Sequence, residues 1–487
     1  MRGMTIEDTA PAHNLRPLCV DLDGTLVKSD TFVDSVLLLV RKNPLIFIQI
    51  LYWVLLGKAI AKQEVSSRAA LDATHLPFSP SVVAYLKSQK AENRRIYLTT
   101  GADRELASRI ASHLGFFDGV LASDGVTNLI GRQKYENLRH RFGDTGYDYI
   151  GNAHHDLPLL KHADTAIVAN GSHILKVKML LKRVRVSGQF DDRVGFARAT
   201  LKALRPHQWA KNLLVLIPLA LAHTLTAQQA LSAAIAFFCI SACASSTYIV
   251  NDLLDLDADR RHPEKRLRPF AAGDISVVSG LAIGLLSCVL GIAVAYMLLP
   301  IRFLMWLCLY LAATLGYSLY LKRIAIADVI LLAGLYTGRV LAGGAATHVA
   351  ISHWLAAYSM FMFLSLAIAK RFSELQNVLR RGTELSNGRG YLLGDLEQLR
   401  SFGTASGYAS VVVFALYISG HDVTALYLHP NWLWLIVPFM IFWLSRVWLL
   451  AGRGELHEDP VIFAVTDRVS LLIAVLVVLI VTLAAAS

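Results

Sequence analysis

Asn251-Asp252-Leu253-Leu254-Asp255-Leu256-Asp257-Ala258-Asp259-Arg260-Arg261-His262-Pro263-Glu264-Lys265-Arg266-Leu267-Arg268-Pro269 lies between two long apolar runs, and its reading decides how the second half of the chain folds. On a helix, Asp252, Asp255 and Asp259 follow i, i+3, i+7 and line one face at the end of the run 228–251. Three close carboxylates repel one another unless a cation sits between them, and hard oxygen donors that tolerate water suit Mg2+ bridging to a diphosphate. The cations that follow suit the remaining phosphate charge. A solvated loop beside a membrane accounts for Lys and Arg, but poorly for this many acids in register.

Outward from this segment, apolar runs of about 20 residues recur, each enough to cross a hydrocarbon layer of ~30 Å. Nine are expected, at 208–224, 228–251, 277–299, 302–320, 325–346, 353–370, 402–420, 431–450 and 469–486. Loop charge tests the count. One set of connections carries Arg260, Arg261, Lys265, Arg266 and Arg268, then Lys322 and Arg323, then Lys370, Arg371, Arg380, Arg381, Arg389 and Arg400, then Arg453 and Arg468. The opposite set holds little beyond Arg302. Positive charge gathers on the cytosolic side of membrane proteins, so the acidic segment is expected there.

Composition agrees. Hydrophobic residues make up 55% of 487 and charged residues 17%, which excludes disorder and is unlike a soluble enzyme. Basic residues exceed acidic ones by 47 to 36, with both halves mildly basic, and those of the second half sit in short loops between apolar runs, pointing to anionic lipid and phosphorylated substrates rather than nucleic acid. Five cysteines show no zinc spacing and imply no disulfide framework. Residues 1–17 lack a basic run followed by an apolar stretch, so no cleaved signal and a cytosolic N-terminus are expected.

The first 200 residues follow another pattern. PLCVDLD, RRIYLTTG, GVLASDG, YDYIGN and TAIVAN are strand-length apolar runs separated by helix-like stretches, which suggests a parallel α/β domain. Within 33–56, LIFIQILYWVLL is too short to span, and reads as a cap element or an interfacial helix, with a membrane hairpin as the lesser alternative. The Lys/Arg-rich stretch 172–204 reads as a linker near anionic head groups. Asp21 and Asp23 end the first strand, where both reach the crevice at the carboxyl edge of the sheet; one can attack phosphorus while the other handles the proton.

Asp21-Leu22-Asp23-Gly24-Thr25 resembles the first motif of the haloacid-dehalogenase-type phosphatases, and its companions follow in order across roughly 17–175. The resemblance implies Asp21 as nucleophile forming an aspartyl-phosphate, Asp23 as general acid/base, and Thr100 and Lys134 as the hydroxyl and cation that hold the phosphoryl oxygens. It also implies a magnesium motif in GNAHHD at 151–156, with Asp21, Asp23, Asn152 and Asp156 as the metal-binding residues. The family usually has an acid where this chain has Asn152, whose amide oxygen still coordinates. A degenerate, non-catalytic domain is the alternative.

NDxxDxxxD with its basic trailer and nine spans resembles the UbiA-type intramembrane prenyltransferase superfamily over 205–487. RPHQWAKNLL at 205–214, YSLYLKR at 317–323 and AKRFSEL at 369–375 look like its decaprenyl-phosphate phosphoribosyltransferase branch. Quinone-type members usually show an Arg-Thr pair where this chain has Lys265-Arg266, and a second paired-Asp motif where it has only Asp328. The expected architecture is an α/β Rossmann-like phosphatase domain at 1–195, with an insert at 30–90, followed by an all-α polytopic membrane domain at 205–487.

The resemblance implies that Mg2+ on Asp252, Asp255 and Asp259 polarises the diphosphate of phosphoribosyl diphosphate while a polyprenyl phosphate oxygen attacks the ribose C1. Asn251, Arg260, His262, Lys265, Arg266, Tyr317, Asp328 and Arg339 are the expected substrate-binding residues, with Lys211, Lys322 and Arg323 holding the lipid phosphate. Arg339 reads equally well as a structural partner of Asp328. The product would bear a 5-phosphate for the fused phosphatase to remove. The expected setting is the cytoplasmic membrane, with no nucleic-acid partner and room for a homo-oligomer. Prenyl transfer to an aromatic acceptor such as 4-hydroxybenzoate is the runner-up, and a non-enzymatic membrane scaffold the third reading.

Overall fold

The computed structural model describes residues 16–221, 226–381, 390–424, 427–456 and 460–485. The expectations about residues 1–15 and Arg389 lie outside these. Two compact units emerge. One comprises Met1–Ala203 together with Val250–Ala282, the other Leu204–Ile249 with Ile283–Ser487.

The first unit is built on six parallel strands: β1 (Leu18–Val20), β2 (Ile96–Asp103), β3 (Gly119–Ser123), β4 (Asp148–Gly151), β5 (Ala166–Ala169) and β6 (Gly188–Phe190). Their order is β3-β2-β1-β4-β5-β6. The order reverses between β1 and β4, so the crevice at their carboxyl ends is where a ligand binds in a sheet of this kind. Asp21 follows β1 and Asn152 follows β4. Strand β1 is wholly buried because helices cover both faces of a parallel sheet.

Helices α1 (Thr31–Lys42), α2 (Ile46–Leu56) and α3 (Lys58–Ala69) form the insert after β1. Asp30 caps α1, accepting from the Phe32 and Val33 amides. The insert has a small core of its own, Leu39, Ile50, Val65 and Ala69, whereas α4 (Pro80–Ala91) gives Val82 and Leu86 to the core under the sheet. Helix α2 spans ~16 Å at 1.5 Å per residue, half a bilayer, and keeps Ile48, Leu51 and Leu55 exposed. It packs within this insert and leaves an apolar outer face. Helices α5 (Arg104–Leu114) and α6 (Arg132–Phe142) follow β2 and β3.

The stretch 172–204 is not a plain linker. It holds a helix at His173–Leu181, strand β6 and a helix at Phe196–Leu204. Lys and Arg concentrated just before it concealed the strand, which is only three residues long and not fully buried at any position.

The second unit is helical. Among the described residues, eight helices are long and apolar enough to cross a membrane: Ala227–Leu254, Val277–Leu298, Ile301–Leu319, Ala327–Thr347, His353–Arg380, Leu393–Ser419, Pro430–Arg453 and Arg468–Ala485. The ninth expected span, 208–224, is instead a 3-10 helix at Pro206–Leu216 continued by a short α-helix at Ile217–Leu221. A 3-10 helix rises ~2.0 Å per residue, so the two pieces together still extend about 30 Å. The helix from His353 runs on to Arg381, which carries Arg371 inside it rather than in the following loop.

Candidate functional sites

The sheet crevice brings the phosphatase-like motifs together. Gly24, at φ +77°, turns the chain back beside Asn152; a Cβ there would lie 1.9 Å from the Asn152 amide nitrogen, so only glycine fits. Asp21 Oδ1 accepts from Lys134 Nζ at 2.7 Å, and Thr25 Oγ1 donates to Asp21 Oδ2 at 3.4 Å. Lys134, on α6, also donates to the Tyr149 hydroxyl at 3.1 Å, which in turn donates to Asp156 Oδ1 at 3.0 Å. The four side chains form one buried, continuous chain of hydrogen bonds. Burial opposes the Lys134 charge, but Asp21 and Asp156 outweigh it and hold its pKa above the usual lysine value.

Asp23 accepts from the Thr31 amide at 2.8 Å, and burial, reinforced by Asp30, pushes its pKa up to about 8. Thr100 is buried within β2, its hydroxyl accepting from the Ala102 amide. Asp156 is saturated, since it also accepts from the amides of Asn152 and Ala153. Asn152 Oδ1 is buried without a hydrogen-bond partner. That orphaned oxygen beside Asp21 suits a hard cation: Asn152 and Asp21 fit Mg2+, with Asp156 orienting the loop. His154 and His155 are exposed neighbours. Tyr149, the central link, carries no motif; its strand position two residues before Gly151 was the only available signal.

The acidic segment departs from its expected geometry. The helix ends at Leu254, Asp255 stands outside it at φ −96°, ψ 9°, and a second helix occupies Leu256–Arg261. The i, i+3, i+7 face is therefore broken. Asp252 and Asp259, both buried, share the Arg268 guanidinium at 3.1 and 2.6 Å, while Asp255 lies 3.6 Å from Arg41 on α1. The chain's own arginines satisfy the repulsion that three acids in register would create. Among the described residues, no group of three or more His, Cys, Asp or Glu side chains is arranged to hold a metal. Asp252 and Asp259 nevertheless fit Mg2+, being two hard carboxylates already gathered around one positive group. Burial raises the Asp259 pKa against the pull of Arg268.

Arg260 is not open to substrate. It is buried, donating to Asp34 Oδ2 at 2.8 Å, Ser29 Oγ at 3.1 Å and the Ala271 carbonyl at 3.4 Å. With Arg41–Asp255, Arg261–Asp72 at 3.7 Å and Lys28–Asp274 at 3.3 Å, it staples the acidic segment to the loops and cap helices of the first unit. His262, Lys265 and Arg266 are exposed; the His262 Nδ1 accepts from the Glu264 and Lys265 amides. Asn251 is half-buried, its carbonyl accepting from the Asp255 amide at 2.9 Å.

In the helical unit, Asp328 is fully buried and paired with Arg371 Nε at 2.6 Å, and it accepts a short hydrogen bond from the Tyr391 hydroxyl. Arg371 also donates to the Tyr317 hydroxyl at 2.8 Å and pairs with Glu374. Asp328 and Tyr317 are thus committed to packing, against the expectation that they meet substrate. Arg339 is not the partner of Asp328: it donates to Asn212 Oδ1 at 2.9 Å and the Tyr310 hydroxyl at 3.0 Å, over the Tyr310 and Tyr336 rings. Sequence did not reveal these arginine partners because they come from helices far apart in the chain. Lys211 and Lys322 are half-buried and Arg323 is exposed.

Breaking a buried pair strands a charge. Arg371→Met is expected to cost about 3–5 kcal/mol, read as a lowered Tm of the purified chain, and Arg371→Met/Asp328→Leu to cost less. Equal and negligible losses would show that the pair carries no stability.

The model of the UbiA prenyltransferase family matches residues 213–466, just over half of the chain. The uncharacterized protein y4nM of Sinorhizobium fredii is 35% identical over 463 residues, 95% of this chain and 89% of its own. A decaprenyl-phosphate phosphoribosyltransferase of Mycobacterium tuberculosis is 32% identical over 280 residues, 56% of this chain and 90% of its own. Among solved structures, a UbiA homolog from Archaeoglobus fulgidus bound to GPP and Mg2+ is 17% identical, with TM-score 0.46 over 58% of this chain and 99% of that one. A substrate-bound phosphoserine phosphatase is 16% identical, with TM-score 0.27 over 36% of this chain and 92% of that one.

Proposed function

Because the chain belongs to the UbiA prenyltransferase family, we propose that its membrane half moves 5-phosphoribose from phosphoribosyl diphosphate to a polyprenyl phosphate, and that its N-terminal domain removes the 5-phosphate from the product. One observation carries the choice of donor. Asp328, the lone acid where the quinone-type branch has an acidic pair, is paired with Arg371 and accepts from Tyr391, so it does not offer a second acidic cluster for a prenyl diphosphate at that position. The 32% identity to decaprenyl-phosphate phosphoribosyltransferases supports the same choice.

In the transfer step, a phosphate oxygen of the lipid attacks the ribose C1 as the C1–O bond to diphosphate breaks. The acceptor is already anionic and needs no strong base. Lys265 and Arg266, exposed beside the acids, attract the donor; within the helical unit, Lys211, Lys322 and Arg323 are the residues proposed for the lipid phosphate. In the hydrolytic step, an Asp21 oxygen attacks the 5-phosphorus, Lys134 steadies Asp21, and Asp23 gives its proton to the departing ribose oxygen. Water then splits the aspartyl-phosphate, with Asp23 accepting the proton and phosphate leaving. Mg2+, on Asp252 and Asp259 in one site and on Asp21 and Asn152 in the other, would supply charge neutralisation to the phosphate oxygens.

The compact first unit supports a membrane placement. The connection 255–276 folds with residues 16–203, so these two stretches share one side of the bilayer. The intervening chain then crosses an even number of times; 227–249 is one crossing, which makes 206–221 the other. Loop charge puts that shared side in the cytosol.

The test offers purified protein labelled phosphoribosyl diphosphate with decaprenyl phosphate in one reaction, and a prenyl diphosphate with 4-hydroxybenzoate in another, both with Mg2+. Label in lipid from the first reaction alone is expected. Product from the second alone would make the chain an aromatic prenyltransferase.

A further inference from the structure

Cap helix α3 sends one cation toward the phosphatase crevice. Lys62 Nζ donates to the Gly101 carbonyl at 2.6 Å and to Asn128 Oδ1 at 3.0 Å. Gly101 directly follows Thr100 within β2, and Asn128 lies in the 124–131 connection that leads into α6 and Lys134. The neighbouring cap residue, Gln63, seats on the same connection: a Cβ on Gly125 would lie 2.1 Å from its Oε1. The cap is thus held over this wall of the crevice by two consecutive side chains.

Lys62 is poorly compensated. Among the described residues no carboxylate lies within ion-pairing distance of it, and its two partners are neutral oxygens. Burial lowers its pKa, while the fields of Asp23, Asp30 and Asp21 raise it and that of Lys134 lowers it further. The ammonium is therefore close enough to feel both motif-I acids and the other lysine. Lys134 is already matched to Asp21 at 2.7 Å. A half-buried cation with only neutral acceptors gains strongly from an anion that arrives with a ligand.

We propose that Lys62 binds a second anionic group of the phosphatase substrate, making the crevice selective for phosphomonoesters that carry another phosphate a few bonds from the scissile one. The proposal rests on the reading of this crevice as a phosphatase. Lipid-linked 5-phosphoribose has the required second charge, the phosphodiester at C1 across the ribose ring from the 5-phosphate. Lys134 and Asp21 handle the end that reacts, and Lys62 the end that identifies the substrate.

Ribose 1,5-bisphosphate and ribose 5-phosphate serve as probes of the full-length protein with Mg2+. The ratio of their kcat/KM values is expected to fall about 10- to 100-fold in Lys62→Gln, mostly through KM of the bisphosphate, with much of it restored in Lys62→Arg. Glutamine keeps a donor for Gly101 and Asn128, so the cap retains its seat. A ratio within twofold of the parent in Lys62→Gln overturns the proposal. Calorimetric binding of the two probes to Asp21→Asn protein, with and without Lys62→Gln, gives the same ratio without turnover. If the parent hydrolyses neither probe, the phosphatase reading fails, and the binding ratio still decides whether Lys62 selects a second anion.

Discussion

Asp21→Asn is expected to abolish phosphate release from lipid-linked 5-phosphoribose, a loss of at least about 10³-fold, while the phosphorylated lipid accumulates at the parent rate of transfer. The substitution is nearly isosteric, and the site is tight: Asp21 is buried at the end of β1 with Lys134 at 2.7 Å and Thr25 at 3.4 Å. An amide still fits that space but has no oxygen able to attack phosphorus. Lys134 keeps Asp156 at 3.7 Å and the Tyr149 hydroxyl, so it is not stranded. Chromatography of the lipid product with and without its 5-phosphate reads the result. Release at the parent rate from Asp21→Asn would remove the phosphatase from this crevice.

Asp259→Ala is expected to lower phosphoribosyl transfer by at least about 10²- to 10³-fold, with Asp252→Ala comparable. Both carboxylates are buried and share Arg268, so either loss removes half of the donor set and leaves the guanidinium with one partner. The expected signature is loss of labelled lipid with retention of phosphate release from ribose 1,5-bisphosphate. Because the acidic segment and the phosphatase belong to one compact unit, retained hydrolysis shows that this unit is still folded. Transfer undiminished in both variants would sink the assignment of the acidic segment as the donor site.

The buried Arg260–Asp34 pair gives the fusion a physical meaning. A segment rich in like charges must be held against its own repulsion, and here Asp34 and Arg41 of α1 take part in holding it. The arginine most conspicuous beside the acids is therefore spent on position rather than on substrate.

Legibility in the sequence followed interaction range. The motif-I acids were readable because a parallel sheet delivers strand ends to one edge, whereas Thr100, Lys134 and GNAHHD were readable only through their resemblance to phosphatase motifs; the structure brings Asp21, Lys134 and Asp156 together. Tyr149, Lys62 and Arg268 were not readable as site residues, since nothing local distinguishes a tyrosine in a strand or a lysine in a cap helix. The acidic register was only partly legible: helical spacing assumed an unbroken helix, whereas the chain breaks at Asp255, which lies beside Arg41 while Asp252 and Asp259 share Arg268.

Hydropathy, loop charge and strand-end motifs were enough for an α/β domain followed by a polytopic helical one, because burial periodicity and bilayer thickness act on each segment separately. Only the folded chain decided that 206–221 is a 3-10 and α-helical piece, that Asp328 belongs to Arg371 rather than Arg339, and that Arg260 serves Asp34. Those outcomes depend on which buried charges find one another across long chain separations, a competition settled by packing and desolvation rather than by any local pattern.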